Sequence, residues 1–136
     1  MYGSILIATD GSPASEVAAN EAIDLSVSYG ADLRAVCIID DKLARTSATH
    51  DSLEDTGKRA LNNIEQLAAQ ADVVVSTNIE KGKPAQAILE HAESHGSDLI
   101  VVGGKRKSAA ERFLLGNTAE AIVRRAPVSV LIARSE

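Results

Sequence analysis

Apolar residues in this chain fall into five short clusters rich in β-branched side chains, with amphipathic stretches between them. The clusters are Ile5-Leu6-Ile7-Ala8, Leu33 to Ile39, Val73-Val74-Val75, Leu99 to Val102 and Val128 to Ala133. Several are apolar at consecutive positions, so strands built from them bury both faces, as in a parallel sheet covered by helices on each side. The first intervening helix opens with Ser12 as N-cap and Pro13 at the first helical position, turns Ala18, Ala22, Leu25 and Tyr29 to one face, and stops at Gly30. Leu53, Ala60, Leu61, Ile64, Leu67, Ala68 and Ala71 mark the second. Pro84 opens the third, with Ile88, Leu89 and Ala92 inward and Gly96 at its end. Asn117 followed three places on by Glu120 has the form of a capping box for the fourth, whose inward face is Ala119, Ile122, Val123 and Ala126.

Strand and helix thus alternate from start to end. With right-handed crossovers this predicts an α/β fold, a three-layer doubly wound five-stranded parallel sheet forming a single domain over 1–136. Strand orders 2-1-3-4-5 and 3-2-1-4-5 both fit the pattern. In either, a ligand is expected at the carboxyl ends of the strands where the order reverses. The longest connection, Asp40 to about Asp51, is polar and reads as a loop.

Composition narrows the function classes. With 136 residues, 45% hydrophobic and 24% charged, the chain has the balance of an ordinary globular protein. A net charge of −5 and only three aromatic residues, Tyr2, Tyr29 and Phe113, argue against a nucleic-acid partner. The single cysteine, Cys37, lies inside an apolar run and reads as a small buried hydrophobe. No apolar run reaches the ~18 residues of a membrane span, so no membrane partner is expected and a cytoplasmic location follows by default.

Two loops carry candidate chemistry, Thr9-Asp10-Gly11-Ser12 after the first strand and Gly103 to Lys107 after the fourth. Asp10 either accepts hydrogen bonds from a ribose or base, or holds a cation bridging phosphates, or only braces the turn that Gly11 permits. Lys105-Arg106-Lys107 either offers charge-assisted bonds to phosphate or forms a solvated run. Gly116, Asn117 and Thr118 open the last helix, where the free N–H groups and the dipole favour an anion.

From Ile5-Leu6-Ile7-Ala8-Thr9-Asp10-Gly11-Ser12, through Gly82-Lys83-Pro84-Ala85-Gln86-Ala87-Ile88 and Ser97-Asp98-Leu99-Ile100-Val101-Val102-Gly103, to Leu114-Leu115-Gly116-Asn117-Thr118 and Ala126-Pro127-Val128, the chain resembles a small, single-domain universal stress protein. The resemblance implies an adenine nucleotide alpha hydrolase-like sheet of order 3-2-1-4-5 and a homodimer formed through the C-terminal strand. It also implies ATP or AMP as a ligand, with Mg2+ accompanying ATP. In one branch of the family, ATP is bound through G-x-x-G, nine residues, then G and Ser or Thr; another branch lacks the pattern and does not bind ATP. Here Gly103 matches the first glycine and Gly116 the last, Asp10 the acidic residue after the first strand, and Ile38 the position whose backbone meets adenine. Arg106 replaces the second glycine, and Asn117 replaces the hydroxyl residue, with Thr118 one place later.

Arginine at a positive-φ position costs about 1 kcal/mol or more, yet its guanidinium suits phosphate. Asn117 is equally suited to capping its own helix. His91 and His95 stand one helical turn apart without the H-E-x-x-H arrangement, and read as exposed residues near a helix C-terminus. No G-x-S-x-G or P-loop is present. The expectation is therefore a stress-response homodimer with an adenine nucleotide as regulatory ligand, not an enzyme; any turnover is slow, because no general base for attack on a γ-phosphate is evident. The alternative is a nucleotide-free dimeric interaction module in which Arg106 and its neighbours close the phosphate loop.

Overall fold

The computed structural model describes residues 1–41, 47–104 and 116–134. Along them run β1 (Ser4–Thr9), α1 (Pro13–Tyr29), β2 (Asp32–Asp40), α2 (Ser47–Gln70), β3 (Val75–Gly82), α3 (Pro84–Ser94), β4 (Leu99–Gly104), α4 (Asn117–Arg125) and β5 (Ser129–Arg134). The strands are all parallel in the order β3-β2-β1-β4-β5. Of the two orders that the periodicity allows, the sheet adopts the one implied by the family resemblance. β1 lies at its centre, with Ile5 opposite Leu33 and Leu99, and Ala8 opposite Val36 and Val102.

The unbroken apolar sequence of β1 is explained by what covers it. Ile5 and Ile7 pack with Leu33, Ala35, Leu99 and Val101 beneath α1 and α2. Leu6 and Ala8 pack with Val36, Ile100 and Val102 beneath α3 and α4. Ile5, Leu6 and Ile7 are fully buried, and each such side chain contributes roughly 1.5–3 kcal/mol on leaving water. Because successive residues face opposite layers, a one-residue slip of β1 would exchange the two cores, which fixes the register.

Helix α1 approaches the sheet closely because Ala14, Ala18, Ala19 and Ala22 line its buried side. Its Ser12 N-cap accepts a hydrogen bond from the Ser15 backbone N–H, Pro13 occupies the first turn, and Gly30 closes it in the left-handed region at φ 63°, donating its N–H to Ser26 O. These start and stop signals lie where the sequence puts them.

Four local expectations are corrected. The run Val73-Val74-Val75 is mostly not strand: Asp72 takes a left-handed φ of 58°, Val73 N–H closes the end of α2 on Ala68 O at 2.8 Å, Val74 is 89% exposed, and β3 begins only at Val75. Three apolar residues are too few to distinguish a strand from a hydrophobic residue tucked under a helix terminus. The expected loop from Asp40 to Asp51 is helical from Ser47 onward, polar helix residues having been read as connection; positions 42–46 lie outside the described residues. In α4, the N-cap is Gly116 and not Asn117, with no side-chain cap, and the Glu120 carboxylate accepts from Arg124 at 2.7 Å instead of reaching back. On the same helix Ala119 and Ile122 are buried, but Val123 is 47% exposed, being turned off the packed stripe. Among the described residues no helix is long and apolar enough to cross a membrane.

Candidate functional site

A cleft of about 290 Å³ opens at the carboxyl ends of β1 and β4, the point at which the strand order reverses from one side of β1 to the other. Its apolar wall comes from Ala8, Ile38, Ile88 and Val102, its polar rim from Thr9, Asp10, Ser12 and Ser15 on one side and from Gly116, Asn117 and Thr118 on the other. Seven of the residues singled out in the sequence, Thr9, Asp10, Ile38, Gly103, Gly116, Asn117 and Thr118, therefore line one cavity. Gly11 does not line it. Its φ of 82° makes the turn after β1, and a Cβ there would meet Thr56 Cγ2 of α2 at 3.3 Å. Arg106, with Lys105 and Lys107, lies outside the described residues.

The β1–α1 loop is locked by its own hydrogen bonds. Thr9 Oγ1 accepts from Gly11 N–H at 3.2 Å. Asp10 Oδ1 accepts from Ser12 N–H at 2.9 Å and from Ser15 Oγ at 2.8 Å, while Asp10 N–H donates to Ser15 Oγ at 3.2 Å. Asp10 does brace the turn, and it also lines the cleft; the two roles are compatible. Burial pushes the thiol of Cys37 above its usual range, and the negative charge of Asp10 pushes in the same direction. That thiol is a packed apolar group at neutral pH.

Across the cleft, α4 presents the opposite chemistry. Gly116 adopts an extended conformation and supplies no side chain to cap the helix. The N–H groups at the start of a helix have no intrahelical acceptor and sit at the positive end of its dipole. Gly103 owes its identity to packing: a Cβ there would lie 2.4 Å from the Ala14 carbonyl oxygen. The start of α1 rests directly on the end of β4.

Ser12, at the end of the candidate loop after β1, also lines the cleft, whereas the sequence reading missed Ser15, Pro84 and Ile88 as cleft residues. A signal existed for the last two, since Pro84 and Ile88 are one turn apart at the start of α3 and every helix of a parallel α/β sheet begins at the same end of the sheet. His91 and His95 are not both exposed as expected. His91 is 4% exposed, its Nδ1 is paired with Glu80 of β3, and the His95 ring stacks on it at 4.1 Å. His91 follows Ile88 and precedes Ala92 on the inward stripe of α3, so helical spacing overrides the usual surface preference of the residue. Among the described residues no group of three or more His, Cys, Asp or Glu is placed to hold a metal ion.

Comparison with known proteins agrees with this architecture. The universal stress protein family model matches residues 1–134. A universal stress protein of Methanocaldococcus jannaschii is 32% identical over 141 residues, covering 98% of this chain and 83% of that protein. Among solved structures, universal stress protein UspA from Lactobacillus plantarum is similar with a TM-score of 0.80 at 30% identity, 98% of each chain being covered. A universal stress protein in complex with cAMP is similar with a TM-score of 0.76 at 25% identity, covering 99% of each chain. On the family match and the shared length of these relatives, the chain belongs to the universal stress protein family.

Proposed function

We propose that the cleft between β1 and β4 binds an adenine nucleotide, ATP or AMP, as a regulatory ligand of a stress-response protein. The observation that carries this reading is the division of one cleft into three chemistries. Ala8, Ile38, Ile88 and Val102 offer an apolar wall for a flat base. The Asp10 carboxylate, acceptor-only when ionised, suits the hydroxyls of a ribose and repels phosphate. The start of α4 suits the phosphate. A ligand with a hydrophobic plane, ribose hydroxyl donors and an anionic end satisfies all three at once, and the cAMP bound by a relative of the same fold, which keeps one free ribose hydroxyl, supports the adenine nucleotide class. If ATP enters with Mg2+, Asp10 is the cleft carboxylate able to share the ion with nucleotide phosphates, which is the usual Mg2+ arrangement of one or two carboxylates plus substrate oxygens. The ion would supply neutralisation of phosphate charge.

The test is calorimetric titration of the purified protein with ATP, ADP, AMP and cAMP, preceded by identification of any co-purified nucleotide. Saturable heat with at least one of the four is expected. No heat at millimolar ligand, from protein shown to be folded, would overturn the reading and favour the nucleotide-free interaction module. Replacing Arg106 by Gly adds direction: affinity falls if the arginine holds phosphate and rises if it occludes the loop.

A further inference from the structure

We infer that Ser15 is a positioning residue that sets the preference of this cleft for a ribose-bearing ligand by fixing the orientation of the Asp10 carboxylate. The inference rests on the nucleotide reading above and deepens it. Ser15 is the third residue of α1, and its side chain is not needed to cap that helix, because Ser12 does so, accepting from Ser15 N–H at 3.3 Å. Its hydroxyl turns back to the loop instead. A serine hydroxyl has one proton. The ionised Asp10 carboxylate can only accept, so the 2.8 Å contact to Oδ1 takes that proton. The remaining contacts of Ser15 Oγ must then be accepted ones, from Asp10 N–H at 3.2 Å and from Ser12 Oγ at 3.3 Å. All polar atoms in this cycle thereby receive a defined direction.

Ser15 is 5% exposed while Asp10 itself is exposed, so the hydroxyl reaches the carboxylate from its buried side and leaves the other side open to the cleft. Ser12 N–H holds the same oxygen at 2.9 Å. Two donors on one oxygen fix the plane of the carboxylate before any ligand arrives, and a preset acceptor spares a ligand the cost of ordering it. Deleting the hydroxyl leaves Asp10 in the cleft, with its charge and its bond from Ser12 N–H, but removes one of the two donors that orient Oδ1. The expected consequence is selective: affinity for ribose hydroxyls falls while contacts to base and phosphate stay.

The measurement is the ratio of dissociation constants for 2′,3′-dideoxyadenosine monophosphate and AMP. In the wild-type chain the ratio is expected to be about 10 or more, the size of a hydrogen bond to a charged group. Ser15→Ala should bring it to within about threefold of unity, chiefly through weaker AMP binding. Ser15→Thr, which keeps the hydroxyl, should restore it. In an Asp10→Asn background Ser15→Ala should change the ratio no further. A merely structural role would weaken both ligands alike, leaving the ratio at its wild-type value, and that outcome overturns the inference while the nucleotide reading stands. Absence of binding by the wild-type chain overturns both. Should Ser15→Ala fail to fold, Ser15→Cys serves in its place, keeping the volume with a weaker donor; a wild-type ratio in that variant also overturns the inference.

Discussion

A Cβ on Gly103 would sit 2.4 Å from the carbonyl oxygen of Ala14 and 2.9 Å from Ser15 N, backbone atoms that cannot yield without moving α1 off the sheet. A Cβ on Gly116 would meet nothing within 4 Å among the described residues, and its φ of −65° and ψ of 161° suit any amino acid. Two glycines at the mouth of one cleft are thus there for different reasons. The first is required by folding. Among the described residues nothing requires a glycine at the second, which borders the proposed phosphate end. Gly103→Ala should therefore lower stability by about 1–3 kcal/mol, the usual cost of forced overpacking, with any loss of binding following from that. Gly116→Ala should change stability by less than ~1 kcal/mol yet weaken AMP at least several-fold. Thermal melts of both variants beside nucleotide titrations decide the matter; retained affinity in Gly116→Ala would remove that position from the site.

Elements were legible where side chain and period agree. Ser12, Pro13 and Gly30 bound α1 as read, because each acts through local backbone geometry that a short window contains. β3 and the start of α2 were not, since an edge strand of alternating burial and a polar helix turn give weak patterns against a conspicuous run such as Val73-Val74-Val75. The site was legible in its strand-end loops and illegible in Ser15, whose role depends on a hydroxyl reaching back five positions. Between elements, Asp98 provides a pH-dependent link. Just ahead of β4, its carboxylate accepts from Gly3 N–H at 2.9 Å and Ser4 N–H at 3.1 Å, pinning the start of β1 to that of β4. The Gly3 N–H bond, joined by that from Ser4 against a smaller opposing effect of burial, holds its pKa below the ordinary aspartate value of 3.8. A carboxylate with a lowered folded-state pKa stabilises the fold fully above its unfolded value and loses that contribution as pH falls through the folded one. Asp98→Asn should therefore lower the melting temperature at pH 6–7 and converge with the wild type as pH drops below about 3.8. A gap between the two curves that is constant with pH would remove the carboxylate charge from the account.

The whole molecule presents two sheet edges of unequal character. β3 carries Asn78, Glu80 and Lys81 along its edge, the charged and polar residues that discourage another strand from pairing there. β5 reads Ser-Val-Leu-Ile-Ala-Arg, and Val130, Leu131 and Ile132 stay only half-buried in the single chain. Among the described residues nothing in the middle of that strand blunts its edge. Such a surface either aggregates or is covered, and a two-fold pairing of β5 with its copy would cover it with one self-complementary patch. We propose this as the homodimer contact. Sedimentation should give about twice the 14.2 kDa chain mass, falling toward the monomer on dilution. Val130→Lys places a charge in the pairing edge while its long stem lets the ammonium reach water, so the fold should survive and the dimer weaken by tenfold or more. A wild-type protein that remains monomeric at hundreds of micromolar would sink the proposal. So would a Val130→Lys dimer as tight as wild type, since the association would then have to use a surface other than β5.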